Sequence, residues 1–344
     1  MKILLLANDY LGLSKPILKE IQQQGHEVLY VADDALSTDC YYRKINRFVK
    51  IIRNIFNRLF HIYEKYWEKA IKNNTNINDF FDVLFCIQGV SFHPYLLNIL
   101  RKHNPHIKTS LYIWDSNKYY DYFRNAIFFD QVFTFDIEDS KQGEFVNFLP
   151  FYWLPHNDTY RNIKYDISII GSDHDGRIEI VEKVYNQINS NLRSYFKIII
   201  SKFPLRTNRL KLIFMLLFKY VCFVETLEKW KHKLTLPFVS FEYMPQEDVN
   251  KIIQESNCIL DTDRECQSGT TPRVIWALAM GKKIISTNTH LVDMPFYNEK
   301  QIKIIDRNNP EIDIDFAKTE EIFDKSEYIS DLRIDNWVKK FINF

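Results

Sequence analysis

The chain has 344 residues, of which 46% are hydrophobic and 26% charged, with a formal net charge of +1. These are globular values with room for two domains of roughly 100–200 residues each, and the near-neutral balance excludes a global electrostatic pull toward nucleic acid. The five cysteines, Cys40, Cys86, Cys222, Cys258 and Cys266, are odd in number, widely spaced and contain no C-x-x-C, which argues against a disulfide framework or a zinc site and for a reducing cytoplasm.

The opening "MKILLLANDY" has an apolar run too short for a signal-peptide core and reads as a first strand. A helical segment ending at "QQQG" and the run "HEVLYVA" complete a βαβ unit with buried, parallel-type strands. Strands follow at "DVLFCIQG", "TSLYIWDS" and "QVFTFD", with a helix near 94–102 between the first two. After "FLPFYWLP", whose Pro150 and Pro155 suit a linker, the alternation restarts with "YDISIIGS", a helix over about 176–188 and "YFKIIIS". It continues through "PFVSFEYMP", a helix over 246–255, "NCILDTD", "CQSGTTPRVIWALAMG" and "KKIIST". The pattern predicts two α/β domains, 1–153 and 154–325, and an amphipathic C-terminal helix within 326–344 that crosses back to the first domain. The richest apolar stretch, "LIFMLLFKYVCFV", carries Lys219 and falls short of the ~20 residues a bilayer requires.

Residues 43–72, "RKINRFVKIIRNIFNRLFHIYEKYWEKAIK", repeat apolar side chains at helical spacing and carry Arg43, Lys44, Arg47, Lys50, Arg53 and Arg58 with no acid before Glu64. Two readings fit: a core-packed helix with a solvated basic face, or a helix lying on an anionic membrane.

The loop after "NCILDTD" sits at the carboxyl end of a parallel strand, where open α/β sheets bind ligands. Backbone N–H groups over 267–271 and the positive end of the following helix favour a phosphate or diphosphate. Gly269 permits close approach, Ser268, Thr270 and Thr271 supply hydroxyls, Pro272 suits the first helical position, and Arg273 adds a forked cation. The bland alternative is a capped helix. A second loop, "IIGSDHDGR", repeats the strand–Gly–helix logic and ends in Arg177.

Taken in order, "YIWDS", "FDQVFTFDIEDS", "FLPFYW", "DISIIGS" with Arg177, "SGTTPRVIWALAMGKKIISTN" and "FYNEKQIKIIDRNN" resemble the GT-B glycosyltransferases. More narrowly, they resemble the bacterial lipopolysaccharide and capsule group related to the CgeB-like and group 1 enzymes. The resemblance covers most of the chain after residue 80. It implies two Rossmann-like domains facing across a cleft, the second binding a nucleotide-sugar donor and the first a glycan or lipid-linked glycan acceptor. On this sequence it assigns Gly171, Ser172 and Arg177 to the diphosphate side and Tyr243 and Met244 to the base. Ser268, Gly269, Thr270, Thr271 and Arg273 are assigned to the phosphates. It also implies no metal or other cofactor, a cytoplasmic site of action at the inner membrane, and no nucleic-acid partner.

One position departs from that pattern. Relatives carry a ribose-binding Glu five residues before the Gly that ends this helix; counting back from Gly281 gives Trp276, and Glu265 does not restore the spacing. Trp276 is then a core residue, a stacking partner for the nucleotide, or a sign that donor binding is altered. For an inverting reaction the base comes from the first domain: Asp115 in "YIWDS" is the first choice, with Asp9, His93, Asp136 and Asp139 as alternatives that are also ordinary helix or turn caps. The competing functions are a non-catalytic nucleotide-sugar or glycan binder that keeps the fold, and a different two-domain α/β enzyme such as a sugar-nucleotide epimerase.

Overall fold

The computed structural model describes residues 1–8, 12–32, 55–56, 59–60, 65, 79–89, 92, 94–119, 121–156, 162–188, 191–200, 220–265 and 267–344, with the backbone alone over 220–227. The candidate bases Asp9 and His93, most of the basic segment 43–72 and all of 201–219 lie outside the described residues. The chain divides into two compact units: Met1–Pro155 with Glu265–Ile275 and Glu327–Phe344, and His156–Arg264 with Trp276–Ser326.

In chain order the strands are β1 (Lys2–Ala7), β2 (Glu27–Ala32), β3 (Val83–Ile87), β4 (Lys108–Ile113), β5 (Gln131–Thr134), β6 (Val146–Phe148), β7 (Tyr165–Ser172), β8 (Ser194–Ile199), β9 (Val239–Ser240), β10 (Ser256–Asp261), β11 (Lys283–Ser286) and β12 (Ile302–Ile304). The helices used below are α1 (Ser14–Gln23), α2 (Pro94–His103), α3 (Ile137–Gln142), α4 (Arg177–Ile188), α5 (Tyr220–Thr235), α6 (Gln246–Gln254), α7 (Pro272–Ala279) and α8 (Ile334–Ile342).

The first unit holds a six-stranded parallel sheet in the order β2-β1-β3-β4-β5-β6. Its strands are apolar on both faces, as a sheet covered on both sides requires. Leu4, Leu6, Leu84, Cys86, Leu111 and Ile113 pack with Leu96, Leu97 and Leu100 of α2. Strand side chains alternate between faces, so Phe85 and Tyr112 point the other way, where α8 covers them. Phe85 stacks on Phe341 at 4.4 Å between ring centroids, and Tyr112 meets Trp337 edge-on at 4.8 Å. Ile334, Trp337, Val338, Phe341 and Ile342 of α8 are buried at helical spacing. Trp337 Nε1 donates to the Pro150 carbonyl at 3.0 Å, so the indole keeps its hydrogen bond when buried.

The second unit holds another six-stranded parallel sheet, ordered β12-β11-β10-β7-β8-β9. Counted within the unit, this is the 3-2-1-4-5-6 order of the Rossmann fold, with its switch point between β7 and β10. Ile167, Ile169, Cys258, Leu260 and Ile285 meet Ile178, Val181, Val184 and Ile188 of α4. Gly281 ends α7 at φ +68°, its N–H donating to the Leu278 carbonyl at 3.0 Å and that of Lys282 to Ala277 at 2.9 Å. That is the paired closure for which glycine is favoured.

The α/β class expected from the sequence is the one observed. Two short strands, β6 and β12, go unseen in the sequence because three residues carry no periodicity. The run "PFVSFEYMP" yields only Val239–Ser240 as strand.

Candidate functional site

The residues singled out by sequence fall at the carboxyl edges of the two sheets. In the second unit, β7 ends in Gly171 and Ser172 and runs through a tight loop into α4, which opens with Arg177. Arg177 is only 6% exposed. Its Nε donates to Thr262 Oγ1 at 2.6 Å, its Nη2 to the Thr262 carbonyl at 2.9 Å and its Nη1 to the Ser172 carbonyl. The guanidinium therefore joins the ends of β7 and β10, the two strands that flank the switch point. That forked geometry is specific to arginine.

Around it, Arg307 Nη1 donates to Asp263 Oδ1 at 3.0 Å and to the Asp263 carbonyl at 2.9 Å, while Arg264 lies 3.7 Å from Asp175. Asp173 pairs with Lys233 at 2.6 Å. His174, in the same loop, is pushed down to about 4, first by burial and then by the positive charges of Arg264 and Arg177, which outweigh Asp175 and Asp173. Burial and the neighbouring guanidinium groups both favour the neutral imidazole. Tyr243, 54% exposed, and half-buried Met244 lie on the loop after β9, at the carboxyl edge of the same sheet. Trp276, on α7, is half-buried.

The loop 265–271 and the start of α7 belong to the first unit. Ser268 is buried, and its amide donates to Asp136 Oδ2 at 2.9 Å while its hydroxyl donates to Asp136 Oδ1. The Glu138 amide returns a bond to Ser268 Oγ at 3.0 Å. Asp136 also caps α3, accepting from the Asp139 amide at 3.1 Å. Gly269 lies against Phe135, where an added Cβ would come within 2.4 Å of the ring and 2.7 Å of the carbonyl oxygen, so the close approach this glycine allows is to protein backbone. Thr270 is fully buried, and its Oγ1 has no hydrogen-bond partner among the described residues. Pro272 and Arg273 occupy the first two positions of α7, and Arg273 is 9% exposed.

Asp115, just past β4, is half-buried and joins this group. Its Oδ2 accepts from Gln88 Nε2 at 2.6 Å and its Oδ1 from Gln267 Nε2 at 3.1 Å. Asp139 accepts from the Asn117 amide at 2.6 Å and the Tyr122 hydroxyl at 3.2 Å; burial raises its carboxyl to about 6. Asp136 and Asp139 are thus built into the α3 cap and its neighbouring turn. Sequence reasoning did not single out Gln88, Thr262, His174, Arg264 or Arg307, and it used Gln267 only for its backbone N–H. Their one shared signal is position, within a residue or a few of a strand end. A cavity of about 420 Å³ beside β12, lined by Val292, Tyr297, Glu299 and Lys303 among others, contains none of the sequence-assigned residues. Among the described residues no group of three or more His, Cys, Asp or Glu is arranged to hold a metal ion.

No protein-family model and no curated protein matches this sequence. Among solved structures the chain is similar to sucrose-phosphate synthase from Thermosynechococcus elongatus, at TM-score 0.50 and 10% identity over 100% of this chain and 95% of that one. It is also similar to MurG from Acinetobacter baumannii (TM-score 0.45, 11% identity, 100% and 99% covered) and to Anabaena HepE in complex with UDP (0.44, 12%, 99% and 96%). The first of these likenesses shows the fold: two Rossmann-like units, as in the GT-B fold.

Proposed function

We propose that the protein is a glycosyltransferase moving a sugar from a nucleotide-sugar donor to a surface-polysaccharide or lipopolysaccharide acceptor. The observation that carries the proposal is the switch point of the second sheet, where Arg177 and Arg264 bring guanidinium groups to the place where open α/β sheets bind ligands. There the donor diphosphate is held and its negative charge stabilised as the glycosidic bond breaks, without a metal. Ser268 fixes the loop, Thr271 and Arg273 contact phosphate, and Tyr243 and Met244 border the base. Asp115 takes the proton of the acceptor hydroxyl as that oxygen bonds to the anomeric carbon and the sugar–phosphate bond breaks.

The acceptor is lipid-linked in this reading, and the protein works on the cytoplasmic face of an anionic membrane. Ile55, Phe56, Leu59 and Phe60 support this: they are 51%, 51%, 66% and 50% exposed, in a segment rich in Lys and Arg. No helix among the described residues is long and apolar enough to cross a membrane. Replacing Leu59 and Phe60 by Asp is expected to abolish co-sedimentation with phosphatidylglycerol vesicles, and unchanged sedimentation would remove the membrane role.

The test of the activity is release of nucleoside diphosphate from UDP-, GDP- and CDP-sugars, with and without polysaccharide or lipid-linked acceptors. Release from one donor, accelerated by acceptor, is the expected result. Trp276 at the position of the ribose-binding acid favours the second reading, a nucleotide-sugar or glycan binder without turnover. Donor binding with no release in any combination would establish that reading instead.

A further inference from the structure

We infer that Gln88 and Gln267 are the positioning residues of Asp115, gripping one carboxylate oxygen each; this rests on the proposed role of Asp115 as base. The residue after β3, Gln88, has φ +65°, a left-handed conformation rare for a residue with a side chain, and Gly89 follows at +63°. The Gln88 amide donates to the Tyr112 carbonyl at 2.8 Å, which ties the turn to β4. The side chain, 5% exposed, then spans the end of β4. Its Oε1 accepts from the Trp114 amide at 2.9 Å, and its Nε2 donates to Asp115 Oδ2 at 2.6 Å.

The Trp114 N–H can face only an oxygen, so the orientation of the Gln88 amide is settled and its N–H₂ must face the carboxylate. A strained backbone held in place by a buried side chain that reaches one carboxylate is the signature of a functional constraint rather than of packing. The second donor, Gln267 Nε2, comes at 3.1 Å from the loop that Ser268 anchors on Asp136. The carboxylate is therefore oriented from two directions, by the end of β3 and by the loop ahead of α7. Amide donors to both oxygens fix its plane, and angular control of this kind is what a base needs to meet one hydroxyl.

The test uses the full chain and release of nucleoside diphosphate from UDP-glucose, UDP-N-acetylglucosamine and GDP-mannose. Gln88→Glu keeps the shape but replaces the donating amine with an oxygen. Its kcat is expected to fall about 10- to 100-fold with the donor KM within about twofold of wild type. Gln88→Gly relieves the left-handed strain but removes both side-chain bonds, so it should melt somewhat lower than wild type and lose kcat comparably to Gln88→Glu. Gln267→Leu should lose less, and Gln267→Asn should recover part of that loss. Wild-type kcat in all four variants, with Asp115→Asn inactive, would overturn the positioning role alone. Full turnover in Asp115→Asn would overturn the base assignment and the positioning role with it.

Discussion

The two sheets share an architecture and differ in the chemistry of their carboxyl edges. At the first edge stand three acids, Asp115, Asp136 and Asp139, whose oxygens accept from glutamine amides, a serine, a tyrosine and backbone N–H groups. At the second stand Arg177, Arg264 and Arg307, with the local aspartates Asp173, Asp175 and Asp263 each beside a lysine or arginine. In the proposed function one edge accepts a proton and the other receives a departing diphosphate. Two Rossmann-like units with nearly the same strand order thus acquire different work from a few residues beyond each strand.

This contrast can be broken in order of expected effect. Asp115→Asn removes the proposed base and should lower turnover by about 10²–10⁴-fold in the nucleoside diphosphate release assay. Gly269→Ala sets a methyl against the ring and backbone oxygen of Phe135 and should cost about 1–3 kcal/mol in urea unfolding. Gly143→Ala, where the near atom is a side-chain methyl of Val146 at 3.1 Å, serves as the mild control. Arg264→Ala should weaken UDP or GDP binding about tenfold by calorimetry, equivalent to about 1.4 kcal/mol, with little change in melting temperature.

The last test probes the acidic edge through pH. Asp139 is raised to about 6 in the fold from an ordinary value of 3.8, so the folded state binds its proton more tightly than the unfolded state. Its ionisation costs stability; the cost is absent below about pH 4 and complete above about pH 6. Asp139→Asn should therefore be the more stable protein at pH 7 by about 1–2 kcal/mol and match wild type near pH 4. Equal stability differences at both pH values would show that the carboxyl is not raised.

Much of the fold was legible because parallel strands buried on both faces write themselves as continuous apolar runs, such as "KILLLA" and "VLFCI", and helices such as α8 show their spacing. Positions of candidate site residues were legible for the same reason: strand ends are visible, and ligands gather there. Partnerships were not. Ser268 reads as a phosphate hydroxyl, yet its amide and hydroxyl both bind Asp136, 132 residues away in sequence. Gly269 reads as an opening toward a ligand, yet Phe135 approaches it. Gln88 carried no local signal, because its importance lies in a left-handed φ and in a neighbour 27 residues on. Tertiary contacts of this kind leave no periodicity in the sequence.

The division of labour between the edges is tested most directly by measuring two quantities on the same two variants, calorimetric affinity for UDP and GDP and turnover of the matching donor sugars. Asp115→Asn is expected to lose turnover with nucleotide affinity unchanged, and Arg264→Ala to lose affinity about tenfold. Loss of nucleotide affinity in Asp115→Asn, or unchanged affinity in Arg264→Ala, would contradict this division of labour.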